Sequence, residues 1–193
     1  IYGVPFPQFG AIEKDPNLQI HQSSTLGISF VALNTDKAPF DDIRVRQAVQ
    51  HAINKDRMFK TVFFGKGEMA NQIIPSTWWG HSKDVTTYDY DPEKAKALLA
   101  EAGYGDGIKV TLSSWTNPRP YLPAPRDAVS LIKTDLGEIG IDVTIQTMKW
   151  AAFRASRGVG DYNMTMGGWI AGTLDPDGIL YALYHSKYIR KKD

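Results

Sequence analysis

Arginines and aromatic residues in two parts of the chain have the types and spacing of a ligand-binding site. Arg119 lies between two prolines in the run NPRPYLP, and residues that precede proline avoid the helical region, so this arginine is presented from a stiff segment. Trp150, Arg154 and Arg157 follow the spacing i, i+4, i+7 and share one face of a helix. Arginine offers planar donors suited to a carboxylate, and tryptophan offers a flat wall. The pattern favours binding, while a stiff connection and an ordinary amphipathic helix stay open as alternatives.

A third run, MGGWIAG, places Trp169 between glycines at the end of a strand-like segment. Glycine lets the backbone approach a ligand closely, because it has no Cβ. A packing tryptophan beside a flexible loop would give the same pattern. The run is therefore a candidate binding segment with an open alternative.

The chain shows no recognisable catalytic set. Its four histidines have no partner at metal-ligand spacing, and the runs HExxH, GxSxG and Walker A are absent. There is no cysteine, which excludes disulfides, thiolate metal sites and a cysteine nucleophile. GYGDG at 103–107 is typical of a helix end and turn, and DPD at 175–177 is typical of a helix start. We predict neither enzymatic activity nor a cofactor.

Composition restricts the class of protein further. The 193 residues carry a net charge of +1, with 42% hydrophobic and 22% charged residues, as in ordinary globular domains. The sequence has no basic stripe of the kind that binds nucleic acid. It also has no run that approaches the roughly 20 apolar residues of a membrane span. The length fits one domain over 1–193. The opening residues indicate a processed protein or an excised piece, and the ending HSKYIRKKD favours an excised piece.

Strand-like and helix-like segments alternate along the chain, which is typical of an α/β fold. We expect a largely buried strand at 27–34 and a long ordered loop at about 65–90. The strand 108–114, the helix 125–139 and the strand 141–148 fit either a βαβ unit or pairing through intermediate strands, and strand order stays open. Two further segments are a helix that starts at Trp150 and ends at Gly158, and a last helix with Asp175 as cap and Pro176 at its first position. Helix caps are also expected at Asp41 or Asp42, at Asn54 and at Asp91.

Several runs resemble one family in the same order along nearly the whole chain. LNTDKAPFDDIRVRQAVQHAINKD resembles the signature region of the peptide/nickel/opine class of extracytoplasmic substrate-binding proteins, which includes the dipeptide- and oligopeptide-binding proteins. The matching runs that accompany it are IIPSTWWG, YDPEKAKALLAEAGY, NPRPYLP, KWAAFR and MGGW-x₅-DPDG. NPRPY is most similar to the dipeptide-binding branch.

This resemblance implies a fold, a function and partners. The fold would be a mixed sheet flanked by helices, forming one lobe of a two-lobed periplasmic-binding-protein-like structure, inserted between two halves of the other lobe. The protein would capture peptides or peptide-like solutes for an ABC importer, as a monomer, without catalysis or cofactor. Its partners would be the ligand, the missing second lobe and a membrane permease, with no nucleic acid. The protein would be located in the periplasm or at the outer face of the cell membrane, and a signal peptide outside this chain would direct its export.

The resemblance also implies roles for four side chains. Arg119 falls where the dipeptide binders place the arginine that pairs with the ligand carboxylate, and Tyr121 of the same run joins the expected ligand-binding set. Trp150 falls at the position of a pocket tryptophan in the oligopeptide binders. Arg157 falls at the position of a ligand-facing arginine.

The last expected segment contains a departure from the family pattern. Trp169, Ile170 and Ala171 match the strand end that lies along the ligand backbone, whereas Gly172 stands where peptide binders have an aspartate for the ligand amine. Glycine cannot make that charge-assisted hydrogen bond. A modified peptide, an opine, a sugar or a metal chelate is therefore an alternative ligand. A hydrolase and a protein-interaction module are the alternatives from other classes.

Overall fold

The structure is a computed structural model that describes residues 4–22 and 27–188. The first three and the last five residues of the chain, on which part of the expectation about its two ends rests, lie outside the described residues. Its centre is a four-stranded sheet in the order β1-β4-β2-β3. The strands are β1 (Gly27–Leu33), β2 (Ile108–Trp115), β3 (Ile141–Met148) and β4 (Met164–Ile170). β2 runs parallel to β3 and β4, and β1 runs antiparallel to β4. The expected mixed sheet is confirmed.

Helices flank this sheet, and several begin where capping residues predict. The helices are α1 (Phe9–Ile12), α2 (Ile43–Ala52), α3 (Lys55–Val62), α4 (Pro92–Glu101), α5 (Pro125–Gly137), α6 (Trp150–Val159) and α7 (Asp177–Tyr184), with short 3₁₀ turns at Phe6–Gln8 and Ser186–Tyr188. The side chains of Asp42, Asn54 and Asp91 accept hydrogen bonds from the first turns of α2, α3 and α4. These side-chain caps satisfy amide groups that a helix start otherwise leaves unpaired.

Of the two arrangements that the sequence left open, the βαβ unit is present, and it forms the main core. β2 and β3 pair directly and in parallel, and helix α5 makes the crossover between them. The apolar stripe of α5 is buried together with both strands, through Ala128, Val129, Ile132 and Leu136. Helix α2 packs beside α4 and adds its own apolar face to the same core.

Three sequence expectations need correction. β1 is mostly half-buried instead of largely buried, because it lies at the edge of the sheet. Helix α6 continues through Gly158 and ends at Gly160, whose φ of 67° supplies the left-handed cap. Helix α7 begins at Asp177, one residue after the expected start, although the Asp175 side chain still accepts a hydrogen bond from the Asp177 amide at 2.9 Å.

A second hydrophobic cluster packs the long segment between α3 and α4 against β1 and α7. That segment contains no helix or strand, as expected. Ile74 and Trp78 from it are buried with Ile28 of β1 and Ile179 of α7. The neighbouring Trp79 is 67% exposed, so only one tryptophan of the WW pair contributes to this packing.

Candidate functional site

The segment after β2 forms a tight turn that presents Arg119. The Arg119 amide donates to the Leu122 carbonyl at 3.0 Å, and the Leu122 amide donates to the Arg119 carbonyl at 2.9 Å. Pro120 is the second residue of this four-residue turn, a position for which its fixed φ is suited. Leu122 is buried in the main core and anchors one end of the turn. The second proline of the PRP run therefore has a definite structural role.

The side chain of Arg119 lies on the face of Trp150, the first residue of α6. The guanidinium carbon is 3.7 Å from the centre of the indole ring. This contact with the face of an aromatic ring is attractive for a cation and limits the conformations of a long side chain. The Nε atom of Arg119 is buried and has no hydrogen-bond partner among the described residues. The turn thus sets the position of the Arg119 backbone, and Trp150 of α6 holds its guanidinium.

Four aromatic rings form the floor beneath this arginine. Trp115, at the end of β2, lies at the centre, with its ring 5.9 Å from Tyr121, 5.5 Å from Trp150 and 5.0 Å from Phe153. Trp150 and Phe153 stack on each other at 5.6 Å. Trp115 is 1% exposed and Phe153 is fully buried, so these two rings support the site from below.

A second arginine of α6 adds positive charge to the same region. Arg157 is half-buried, and its guanidinium carbon lies 5.8 Å from the centre of the Phe153 ring. Arg154, on the same helix, is exposed. Burial raises the pKa of Tyr121 above its usual value, while the nearby charges of Arg119 and Arg157 act in the opposite direction. Both arginines therefore act on the environment of one tyrosine.

Neither arginine at this site is neutralised within the described part of the chain. The ion pairs found in residues 4–22 and 27–188 do not involve Arg119 or Arg157. A half-buried cation without an acidic partner is costly unless an anion reaches it. Two such guanidinium groups above an aromatic floor are suited to an anionic group with a flat or apolar neighbour.

The remaining expected ligand residues lie in a different environment. Trp169 and Ala171 are partly buried against the second hydrophobic cluster, and Ile170 is 50% exposed. Gly172 is exposed, and a Cβ built there has no neighbouring atom within 4 Å. The side chains of Arg119, Tyr121, Trp150 and Arg157 thus form one connected group. The segment from Trp169 to Gly172 is a separate stretch at the end of β4.

Sequence reasoning missed two aromatic residues of this site and the packing role of two glycines. Trp115 and Phe153 were not singled out, although Phe153 stands at i+3 from Trp150, a spacing that brings two rings of a helix together. No signal in the sequence marks Trp115, because its contacts come from residues of the turn and of α6. The two glycines of MGGW, Gly167 and Gly168, accommodate aromatic rings of the protein itself. An approach of the ligand to the backbone of this segment stays a prediction.

Residues 4–22 and 27–188 contain no group of three or more histidine, aspartate or glutamate side chains placed to hold a metal ion. Likewise, none of the helices in that part of the chain has the length and apolarity needed to cross a membrane.

Comparison with known proteins assigns the chain to a family. The model of bacterial extracellular solute-binding proteins, family 5 (middle region), matches residues 1–191. The chain is therefore a member of the family 5 solute-binding proteins. The resemblance seen in the sequence is confirmed.

Named relatives agree with this assignment. The chain is 35% identical over 184 residues to the dipeptide-binding protein of Escherichia coli K12, covering 94% of this chain and 34% of that protein. It is 36% identical over 189 residues to heme-binding protein A of Haemophilus influenzae, covering 95% and 34%. A solved ABC transporter-associated periplasmic binding protein from Helicobacter pylori, in complex with the peptide STSA, superposes with a TM-score of 0.86 at 35% identity, covering 94% and 34%. The chain thus spans about a third of the length of these relatives.

Proposed function

We propose that residues 1–193 form a single α/β lobe of a two-lobed solute-binding protein, which captures a carboxylate-bearing, peptide-like solute for an ABC importer. The observation that carries this proposal is the Arg119 guanidinium, stacked at 3.7 Å on Trp150 and without an acidic partner among the described residues. A fixed, half-buried guanidinium is prepared for a carboxylate, which it can bind through two parallel hydrogen bonds.

The aromatic floor favours a ligand that combines charge with an apolar side chain. Trp150 is half-buried and stacked on Phe153, so part of its surface faces solvent beside Arg119. A peptide terminus has this combination, because the terminal carboxylate adjoins the last side chain. Arg157 and Tyr121 contribute a second positive charge and a hydroxyl near the same end of the ligand.

The strand end after Trp169 is the proposed contact for the rest of the ligand. Ile170 is half-exposed and Ala171 follows the last residue of β4, so backbone groups beyond the sheet are available to an extended ligand. Gly172 offers no charge to a ligand amine. We therefore expect recognition to depend on the carboxylate and to be indifferent to acylation of the amine.

Capture by such a protein needs two surfaces that close on the ligand. This chain supplies one surface, and a second lobe would supply the other through a hinge motion, in which the ligand shifts an open–closed equilibrium. The closed, monomeric complex would deliver its ligand to a membrane permease from the periplasm or the outer face of the cell membrane. The function includes no catalytic step and no cofactor.

Titration calorimetry on the full-length protein tests this proposal with three related probes. The probes are the dipeptide Met-Leu, its C-terminal amide and N-acetyl-Met-Leu. We expect the amide to bind roughly 10- to 150-fold more weakly than Met-Leu, since a hydrogen bond to a charged group contributes about 1.5–3 kcal/mol. N-acetyl-Met-Leu should bind as well as Met-Leu. If none of the three binds, or if Met-Leu is hydrolysed, the proposal is wrong.

A non-peptide solute of the same class is the second candidate. One named relative is a heme-binding protein, and Gly172 removes the charge expected for a peptide amine. Heme carries carboxylates on a flat apolar ring, which also suits arginines beside aromatic rings. Competition distinguishes the two candidates: heme that displaces Met-Leu, or binds when Met-Leu does not, favours this second ligand class.

A further inference from the structure

Two adjacent glycines of β4 lie between aromatic rings on opposite faces of the sheet. A Cβ on Gly167 would lie 2.9 Å or less from three atoms of the Phe30 ring. A Cβ on Gly168 would lie 2.8 Å or less from three atoms of the Tyr121 ring. Successive strand residues point to opposite faces, so each glycine accommodates a different ring.

Backbone conformation does not explain these glycines. Neither Gly167 nor Gly168 is among the described glycines with positive φ, so the backbone at both positions would accept alanine. What excludes a side chain is the ring that lies directly on the strand. At Gly168 that ring belongs to Tyr121, the residue that occupies the turn beside Arg119.

The contact at Gly168 is connected to the arginine by a short path. Tyr121 is fixed on one side by the strand at Gly168 and on another by Trp115, at 5.9 Å between ring centres. Two backbone hydrogen bonds then close the turn from Arg119 to Leu122. A movement of the Tyr121 ring therefore changes the direction from which Arg119 reaches Trp150.

We propose that Gly168 is a positioning residue for Arg119: its missing side chain lets Tyr121 lie on β4, and this contact sets the turn that stacks the guanidinium on Trp150. Gly168 itself need not touch the ligand. The importance of this role for binding rests on the function proposed above, whereas the positioning itself is a property of the protein without ligand.

Nuclear magnetic resonance of the Arg119 Nε–H group tests the positioning in the full-length protein without any ligand. The ring current of Trp150 shifts this signal, which Arg119→Lys identifies by its disappearance. Gly168→Ala should move the signal toward that of an unstacked arginine. Gly167→Ala is the matched control, because it crowds Phe30 on the other face of the same strand, and it should leave the Arg119 signal in place.

Tyr121→Ala provides the second route to the same conclusion if Gly168→Ala does not fold. The single variant should move the Arg119 signal, and adding Gly168→Ala to it should cause no further movement, since the crowded ring is gone. An unmoved signal in Gly168→Ala or Tyr121→Ala, or an equal movement in Gly167→Ala, overturns the inference.

Affinity for Met-Leu separates this inference from the proposed function. If the parent protein binds Met-Leu, Gly168→Ala should weaken binding by roughly tenfold or more, as expected when the carboxylate contact is lost, while Gly167→Ala should not. If the parent does not bind Met-Leu, the proposed function fails and the resonance measurements still decide the role of Gly168. A shifted Arg119 signal with unchanged Met-Leu affinity would overturn the link between positioning and binding.

Discussion

Replacing Arg119 by alanine is the most direct test of the binding site. The substitution removes the guanidinium that lies 3.7 Å above Trp150 and leaves the aromatic floor in place. The turn retains both of its backbone hydrogen bonds, since these involve main-chain atoms only. We therefore expect a large effect on ligand affinity and a small effect on the stability of the fold.

The size of the effect follows from the surroundings of the guanidinium. A hydrogen bond to a charged group contributes about 1.5–3 kcal/mol, which is roughly 10- to 150-fold in affinity. Arg119 is half-buried, so water screens the contact with the carboxylate less than at an exposed site, which places the expected loss toward the upper part of this range. Arg119→Lys should lose less than Arg119→Ala, because it retains the charge without the planar stack.

Calorimetry with Met-Leu and with its amide separates the carboxylate contact from other effects. In the Arg119→Ala protein the two ligands should bind with nearly equal affinity, because the partner of the carboxylate is gone. Arg154→Ala is the matched control, since Arg154 is exposed on the same helix as Trp150. If the Arg119→Ala protein keeps the parent's preference for the free acid, Arg119 does not bind the carboxylate.

Three further substitutions test the fold and the other end of the site. Asp135→Ala should lower the free energy of unfolding by roughly 1.5–3 kcal/mol in urea titrations, because the 1% exposed carboxylate pairs with Arg57, whose side chain is 37% exposed, and accepts the Asn54 amide. Asp42→Asn should lower the melting temperature fully above about pH 4 and progressively less as the pH falls toward 2, because hydrogen bonds from the Arg44 side chain and amide hold the pKa of Asp42 at about 2. Gly172→Asp should strengthen binding of Met-Leu relative to N-acetyl-Met-Leu.

The direction of the pH effect is set by the depressed pKa of Asp42. The stabilisation is fully present above the pKa of the unfolded chain, roughly 3.9, and is lost as the pH falls through about 2. A difference between the two proteins that persists below that pH contradicts the explanation. For Asp135, an unfolding free energy within about 0.5 kcal/mol of the parent would show that the ion pair and the hydrogen bond from Asn54 are not a main support of the fold. For Gly172, equal affinity of the aspartate variant for both peptides would remove that position from the amine end of the ligand.

Local signals predicted most of the elements and some of the site. Apolar periodicity and capping residues placed α2, α3, α4 and α5 closely, because those signals act within a few residues of the helix they specify. The end of α6 was wrong, since two glycines in that run can both follow a helix and only Gly160 takes the left-handed conformation. The half-exposure of β1 was also missed, because an edge position depends on strand order.

The candidate site was predicted where the residue type alone carries the chemistry. Arg119 within its prolines and Trp150 at a helix start were identified from the sequence, and the structure stacks them on each other. Whether the proposed ligand reaches them stays a prediction. Trp115 and Phe153 could not be assigned to the site, since a buried aromatic residue has the same sequence pattern in any core.

The sequence by itself determined the family, the alternation of strands and helices, and the presence of an arginine on a stiff turn. These properties depend on residue order and on interactions between near neighbours. Tertiary structure alone decided that Tyr121 lies on Gly168, that Trp115 supports both Tyr121 and Trp150, and that Arg119 stacks on an indole 31 positions along the chain. The physical reason is that these contacts form between side chains from distant segments, whose distances are fixed only when the sheet and its helices pack together.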